Sequence, residues 1–330
     1  MHFHDQEGIA LFLVLWVLTL LSVIVGEFCH AMRTEVNITR NFREATQAAY
    51  LAEAGLNLAV HGLATTARDD RRGRGEAAEA GDVRWRVNAP IPDVKLGAGA
   101  ATVRIDNESG KINLNTADPP LLRLMLSPFN LDENVVNGIV DAIADWRDAD
   151  DLHRLHGAED DYYQSLPEPY PCKDGPFTDV QELLRVKGIT RELFYGGLAE
   201  MVTVFPITAK GGGGQRGRIN INAAPPSVLQ ALPGMTEDLA AAVAEYRRVR
   251  DFRSPADLVM AVPPETADAI CPYLSFQLGP YYTVRSVGSI EGSRTRHAVS
   301  VTVEFDRRAE DGYRIIRWID NLSPALDAPS

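Results

Sequence analysis

From Ile9 to Gly26 the chain reads IALFLVLWVLTLLSVIVG, eighteen uncharged residues interrupted only by Thr19 and Ser22. With its flank to about residue 28, that run is long enough to predict a membrane-spanning helix. A cleaved secretory signal has a shorter apolar core, a basic start and a small-residue cleavage site. The sequence here has none of these, so the segment is expected to stay in the mature chain as an anchor. The apolar pattern continues past the span at Ala45, Ala48, Ala49, Ala52, Leu56 and Ala59, with no proline before Pro90. One helix from Ile9 to about His61 would be ~80 Å long at 1.5 Å per residue. Half would stand in lipid and half would form a stalk. The small residues Ala45, Ala48, Ala52 and Gly55 would let a helix of another subunit approach closely.

Beyond the stalk the periodicity changes. Residues 68–81, RDDRRGRGEAAEAG, have no repeat and read as a solvated loop. Short alternating runs at Val83–Val87 and Ala101–Asp106 predict strands. From Pro119 to about Met201 the pattern is helical. Val135, Val136, Ile139, Val140, Ile143 and Trp146 share one face, and Val180, Leu183, Leu184 and Val186 form the core side of a second helix. Gly211–Gly214 reads as a flexible break. Strands are predicted again at Tyr281–Val287, Ala298–Phe305 and Tyr313–Ile319. An internal repeat crosses this map, because KINLNTADPPLL from Lys111 resembles RININAAPPSVL from Arg218, 107 residues later. Asn113, Asn115, Asn220 and Asn222 suit turns and helix entries, and Pro119 and Pro226 suit a first helical turn.

Charge narrows the function. The chain carries 45 carboxylates against 33 Lys and Arg, a net charge of −12. Sequence-independent nucleic-acid binding depends on phosphate neutralisation by Lys and Arg, which this balance disfavours. Leu232-Pro-Gly-Met-Thr236 and Val186-Lys-Gly-Ile-Thr190 are similar to helix-hairpin-helix turns. Each has Thr where the nucleic-acid-binding form has its second Gly. Glu237 and Asp238 then place carboxylates where a phosphate would sit. These hairpins read as packing devices.

Half of the excess negative charge lies in Asp141–Asp161, which holds eight carboxylates and two arginines. Asp145, Asp148, Asp150, Glu159 and Asp160 are candidate oxygen ligands for calcium, which takes six to eight of them. A solvated acidic loop accounts for the same spacing. His153 and His156 sit in an oxygen-rich loop without nearby Cys, which favours a hard cation over zinc. Cys172 and Cys271 either form a disulfide or remain separate thiols; sequence leaves both open. There is no G-x-S-x-G, H-E-x-x-H or P-loop, and nothing argues for an enzyme.

Taken together, several stretches resemble one family. They are the Gly8–Ile9 junction before the apolar helix, QAAYLAEAGL at 47–56, GKINLNTA at 110–117, DWRDAD with GAEDDYY, and RININAAP at 218–225. Their order and spacing are similar to the type II secretion minor pseudopilin K family. The resemblance implies an α+β fold: a long N-terminal transmembrane helix and a pilin-like α/β domain with an inserted all-α domain. Residues 1–8 would be a leader cut by prepilin peptidase between Gly8 and Ile9, although Glu7 stands where family leaders carry a basic residue. The helix would cover 9–62. The pilin-like domain would take 63–117 and 201–330, with a hairpin-helix unit near 219–260, and the helical insertion 118–200. Leu13 replaces the Glu usual at the fifth mature position of pilin-like subunits, which marks a subunit with none ahead of it. The resemblance also implies one or two calcium ions in the acidic region, minor pseudopilins I and J as partners, and no nucleic acid. It places the anchor in the bacterial inner membrane and the bulk in the periplasm. Arg33, Arg40 and Arg43 after the span would by charge alone favour the opposite orientation. The alternative function is a membrane-tethered DNA receptor built on the hairpins.

Overall fold

The computed structural model describes residues 6–71, 85–88, 91–206, 217–306 and 308–320. The Gly211–Gly214 break and part of the Val83–Val87 strand lie outside them. Helix α1 (Gln6–Arg71) is a single 66-residue rod, ~100 Å long at 1.5 Å per residue. It is longer at its C-terminal end than the sequence pattern suggested. Its first half stands clear of the rest of the chain. From Ala48 onward, Ala48, Ala52, Leu56, Ala59, Val60 and Leu63 are buried.

The chain then forms the hairpin β1 (Val94–Leu96) and β2 (Gly99–Asn107). It leaves the sheet at Glu108 for a helical body. This body begins with β3 (Ile112–Asn113), α2 (Pro119–Leu126), α3 (Glu133–Arg147) and α4 (Asp160–Gln164). Residues Val180–Arg185 form a 3-10 helix rather than the α-helix expected there. Next come α5 (Arg191–Leu193), α6 (Ala199–Met201) and β4 (Val202–Thr203), which pairs parallel with β3. A second unit follows: β5 (Ile219–Asn220), α7 (Pro226–Ala231), α8 (Glu237–Val249), α9 (Pro255–Leu258), α10 (Pro264–Ile270) and β6 (Leu274–Ser275), with β5 and β6 parallel. The chain returns to the sheet as β7 (Tyr281–Ile290), β8 (Arg296–Glu304) and β9 (Arg314–Ile319).

The sheet is antiparallel in the order β1-β2-β7-β8-β9. Its inner face, with Val103, Ile105, Val284, Val299, Val301 and Val303, packs against the stalk half of α1. The small residues on α1 make that contact possible. Ala48 and Ala52 rest on Gly288 of β7, and a Cβ on Gly55 would meet Ala101, Val103 and Ser286. The expected role of Ala48, Ala52 and Gly55 between subunits is therefore corrected: close approach is spent on the chain's own sheet.

The domain boundaries also move. One continuous core runs from Ile112 to Leu274 and includes both strand-to-helix units. The insertion is thus 108–280, not 118–200, and the hairpin unit near 219–260 belongs to it rather than to the pilin-like sheet. Each unit alone has one apolar side, and the two bury those sides against each other. Glu108 secures the junction with the sheet. Its buried carboxylate accepts from Lys111 Nζ at 2.9 Å, Thr203 Oγ1 at 2.7 Å and Thr283 Oγ1 at 2.7 Å.

Candidate metal centre in a duplicated helical body

The repeat explains how the body is built. Asn113 Oδ1 accepts from Asn115 N and Asn220 Oδ1 from Asn222 N, both closing the same tight turn. The Asn115 amide clasps the backbone of Phe177 in both directions, and that of Asn222 does the same with Phe252. Arg147 donates to Leu114 O and Ala117 O, and Arg247 donates to Ile221 O and Ala224 O. Trp146-Arg147 and Tyr246-Arg247 thus end equivalent helices. Between that helix end and the clasped Phe, the second unit has four residues and the first has twenty-nine. The acidic loop is the extra segment.

Aromatic side chains floor this loop. Trp146 and Tyr163 pack edge to face with centroids 5.2 Å apart, and Tyr170 lies 5.4 Å from Tyr163. Above them the carboxylates divide by function. Asp145, fully buried at the end of α3, accepts from Ala158 N at 2.9 Å and from the backbone and guanidinium of Arg154. Asp148 gives Oδ2 to the same guanidinium at 2.6 Å. Hydrogen bonds to Asp148 and then Asp145 hold the Arg154 pKa above its usual value. Asp150 only turns the exposed backbone at Leu152, and Asp160 accepts from Cys172 N at 2.6 Å.

Four carboxylate oxygens remain buried without a hydrogen-bond partner: Glu159 Oε1 and Oε2, Asp148 Oδ1 and Asp174 Oδ1. Ligand atoms of Glu159, Cys172 and Asp174 lie within 4.8 Å of one another. Burial, and then repulsion from Asp145, Asp148 and Asp174, push the Glu159 carboxyl up to about 7. Burial likewise raises the Cys172 thiol. An unpaired buried carboxylate is costly, and several converging on one point suit a hard divalent cation. The residues present fit such an ion.

Of the five carboxylates expected as ligands, the structure brings Glu159 and one oxygen of Asp148 to this point. Asp145 is neutralised by Arg154, Asp150 lies in the exposed turn, and Asp160 positions Cys172. Asp174 was missed because it lies outside the acidic run; its only sequence signal is the Asp-Gly turn next to Cys172. Cys29, Cys172 and Cys271 are all free thiols, so the unpaired alternative holds in this structure.

The hairpins also have a structural account. Asn130, Gly188 and Gly234 take left-handed conformations at three successive turns. Asp132, Thr190 and Thr236 then cap the following helices through their side chains. Thr at the second Gly position is a helix cap.

The family model for type II secretion system protein K (first domain) matches residues 104–207, and a helix-hairpin-helix motif model matches residues 214–274. The type II secretion system protein K of Pseudomonas aeruginosa is 30% identical over 250 residues, covering 71% of this chain and 71% of that protein. The protein of the same name from Aeromonas hydrophila is 28% identical, and the match spans 61% of this chain and 64% of that protein. The crystal structure of the GspK-GspI-GspJ complex of the enterotoxigenic Escherichia coli type 2 secretion system contains a chain of like fold. It has a TM-score of 0.59 at 18% identity, covering 86% of this chain and 99% of that one. With the matched segments falling on the duplicated body and the sheet that carries it, the chain belongs to the type II secretion system protein K family.

Proposed function

We propose that the chain is the minor pseudopilin at the tip of a type II secretion pseudopilus, where it joins I- and J-type pseudopilins to start or cap the filament that exports folded proteins. The observation that carries this reading is the division of α1. Its first half is an exposed apolar rod with a mean hydropathy of 2.4 in its most apolar window, and its second half is locked to the sheet. Such a helix anchors the domain in the inner membrane and holds the sheet and the helical body outside it, in the periplasm. Leu13 sits in the free half and is exposed. An apolar residue there needs no charged partner in lipid, whereas a carboxylate would. No enzymatic step is proposed.

Co-expression of the membrane-inserted chain with I- and J-type pseudopilins should give a complex that survives detergent extraction. Recovery of this chain alone would overturn the assembly. Cleavage by prepilin peptidase at Gly8–Ile9 predicts that mass spectrometry of the extracted protein finds Ile9 as its first residue; an intact Met1 would rule cleavage out. The cation proposed for Glu159, Asp148 and Asp174 is calcium. When bound, it neutralises the converging carboxylates and ties the extra loop to the body.

A further inference from the structure

Helix α1 carries two apolar stripes. One, through Ala48, Ala52, Gly55 and Ala59, is buried on the sheet. The other, Ile38, Phe42, Ala45 and Ala49, repeats the same four-three-four spacing about 100° round the helix. It faces no other element of the chain: Ile38 is 58% and Phe42 74% exposed, Ala45 is exposed and Ala49 half-buried. Leu51, on the opposite flank, lies over Gly99 of β2. The second stripe therefore faces the β8–β9 side of the sheet.

That side is also bare. Trp318 and Ile315 of β9 pair with Val301 and Val303. Laterally paired residues share a face, so both point to the face that α1 covers. Val301 and Val303 are buried there, while Trp318 is 44% and Ile315 53% exposed. The sheet thus extends one strand beyond α1, and its last strand offers an apolar floor beside the upper part of the helix.

We propose that this trough, with the flank of α1 as its wall and β9 as its floor, seats the N-terminal helix of a second, non-identical pilin-like chain running parallel to α1. The inference rests on the assembly reading above and names the surface it uses. A 3.5-residue apolar repeat is the pattern that a neighbouring helix reads. Ala45 and Ala49 permit an interaxial approach of about 8–9 Å. Ile38 lies ten residues beyond the expected end of the span, ~15 Å from it along the helix. A partner helix leaving the same bilayer in the same direction would meet Ile38 and Phe42 first, then pass Ala49, and end over Trp318 and Ile315. The other flank is closed, with Gly99 against Leu51 and Gly62 against Trp85. This chain therefore has one open seat of this kind, as a terminal subunit requires.

The test is photo-crosslinking in membranes that hold the full-length chain with its I- and J-type partners. Reactive side chains are placed at Phe42, Ala45 or Trp318, with Tyr50 and Val36 on the outer side of α1 as controls. Adducts from the first three positions, mapping to the N-terminal helix of one partner and at least about tenfold stronger than from the controls, are expected. Equal labelling from Tyr50 and Val36, or adducts to a second copy of this chain, would overturn the seat. The double variant Phe42→Ala with Trp318→Ala should lower partner recovery about tenfold, a loss typical of removing an aromatic anchor. Recovery of the unmodified complex is scored in parallel. If the complex forms without these adducts, the seat fails and the assembly stands; if no complex forms, both fail.

Discussion

Replacing Gly288 by alanine is expected to lower the melting temperature of the detergent-solubilised protein by roughly 10 °C. Gly288 is buried in the middle of β7, opposite His297 of β8. An added Cβ would run into the carbonyl of Ala48 and the amide of Ala52 on α1. Those are backbone atoms, so no side chain can swing aside, and the helix must lift from the sheet. Overpacking costs of up to about 3 kcal/mol are usual for such clashes. At about 2–4 °C per kcal/mol for a domain of this size, that gives the stated shift. The loss spreads because α1 forms one side of the core made with Val299, Val301 and Val303. Gly26→Ala is the control: nothing lies within 4 Å of that position, and no change is expected. A Gly288→Ala protein that melts like the parent would show that the helix is not seated as described.

The sequence carried the long helix and the sheet clearly, because each repeats its own period over many residues. α1 shows unbroken spacings of three and four, and β7 and β8 alternate over nine or more residues. What it did not disclose is which surfaces meet. Ala48, Ala52 and Gly55 permit close approach to anything, and the residues that select the sheet are Gly288 and Ser286, more than 230 positions away. The helical body was obscured for a related reason. The strand-to-helix turns of its two units match openly, but the extra acidic loop shifts every later correspondence. Arg147 with Arg247 and Phe177 with Phe252 emerge only once their hydrogen bonds are compared. The candidate centre was half legible. A run of carboxylates announces charge but not which oxygens are already satisfied, and Arg154 takes Asp145 out of the set while a turn far along the chain adds Asp174.

Without divalent cations the protein should lose stability as pH rises from about 4.5 to about 7, and calcium should reverse the loss. Glu159 has an ordinary value of 4.5 and is pushed up to about 7 in the fold, chiefly by burial. A folded carboxyl that holds its proton more tightly than the unfolded one favours folding at low pH. That contribution is lost as pH climbs through the window between the two values. A cation binds the ionised carboxylate, so its stabilising effect should grow over the same window. At a calcium concentration a hundred times the dissociation constant, mass action contributes about 2.7 kcal/mol, or roughly 5–10 °C in melting temperature. Melting curves at pH 5 and pH 8, each with chelator or calcium, measure both effects. Glu159→Gln should flatten the pH dependence and remove the calcium shift, since it retains the shape but never ionises. Asp174→Asn should remove the shift and Asp150→Asn should leave it, because only Asp174 turns an unpaired buried oxygen toward Glu159. If calcium leaves the pH 8 curve unmoved, the carboxylates share a proton instead of a metal, and the loop is held by Arg154 alone.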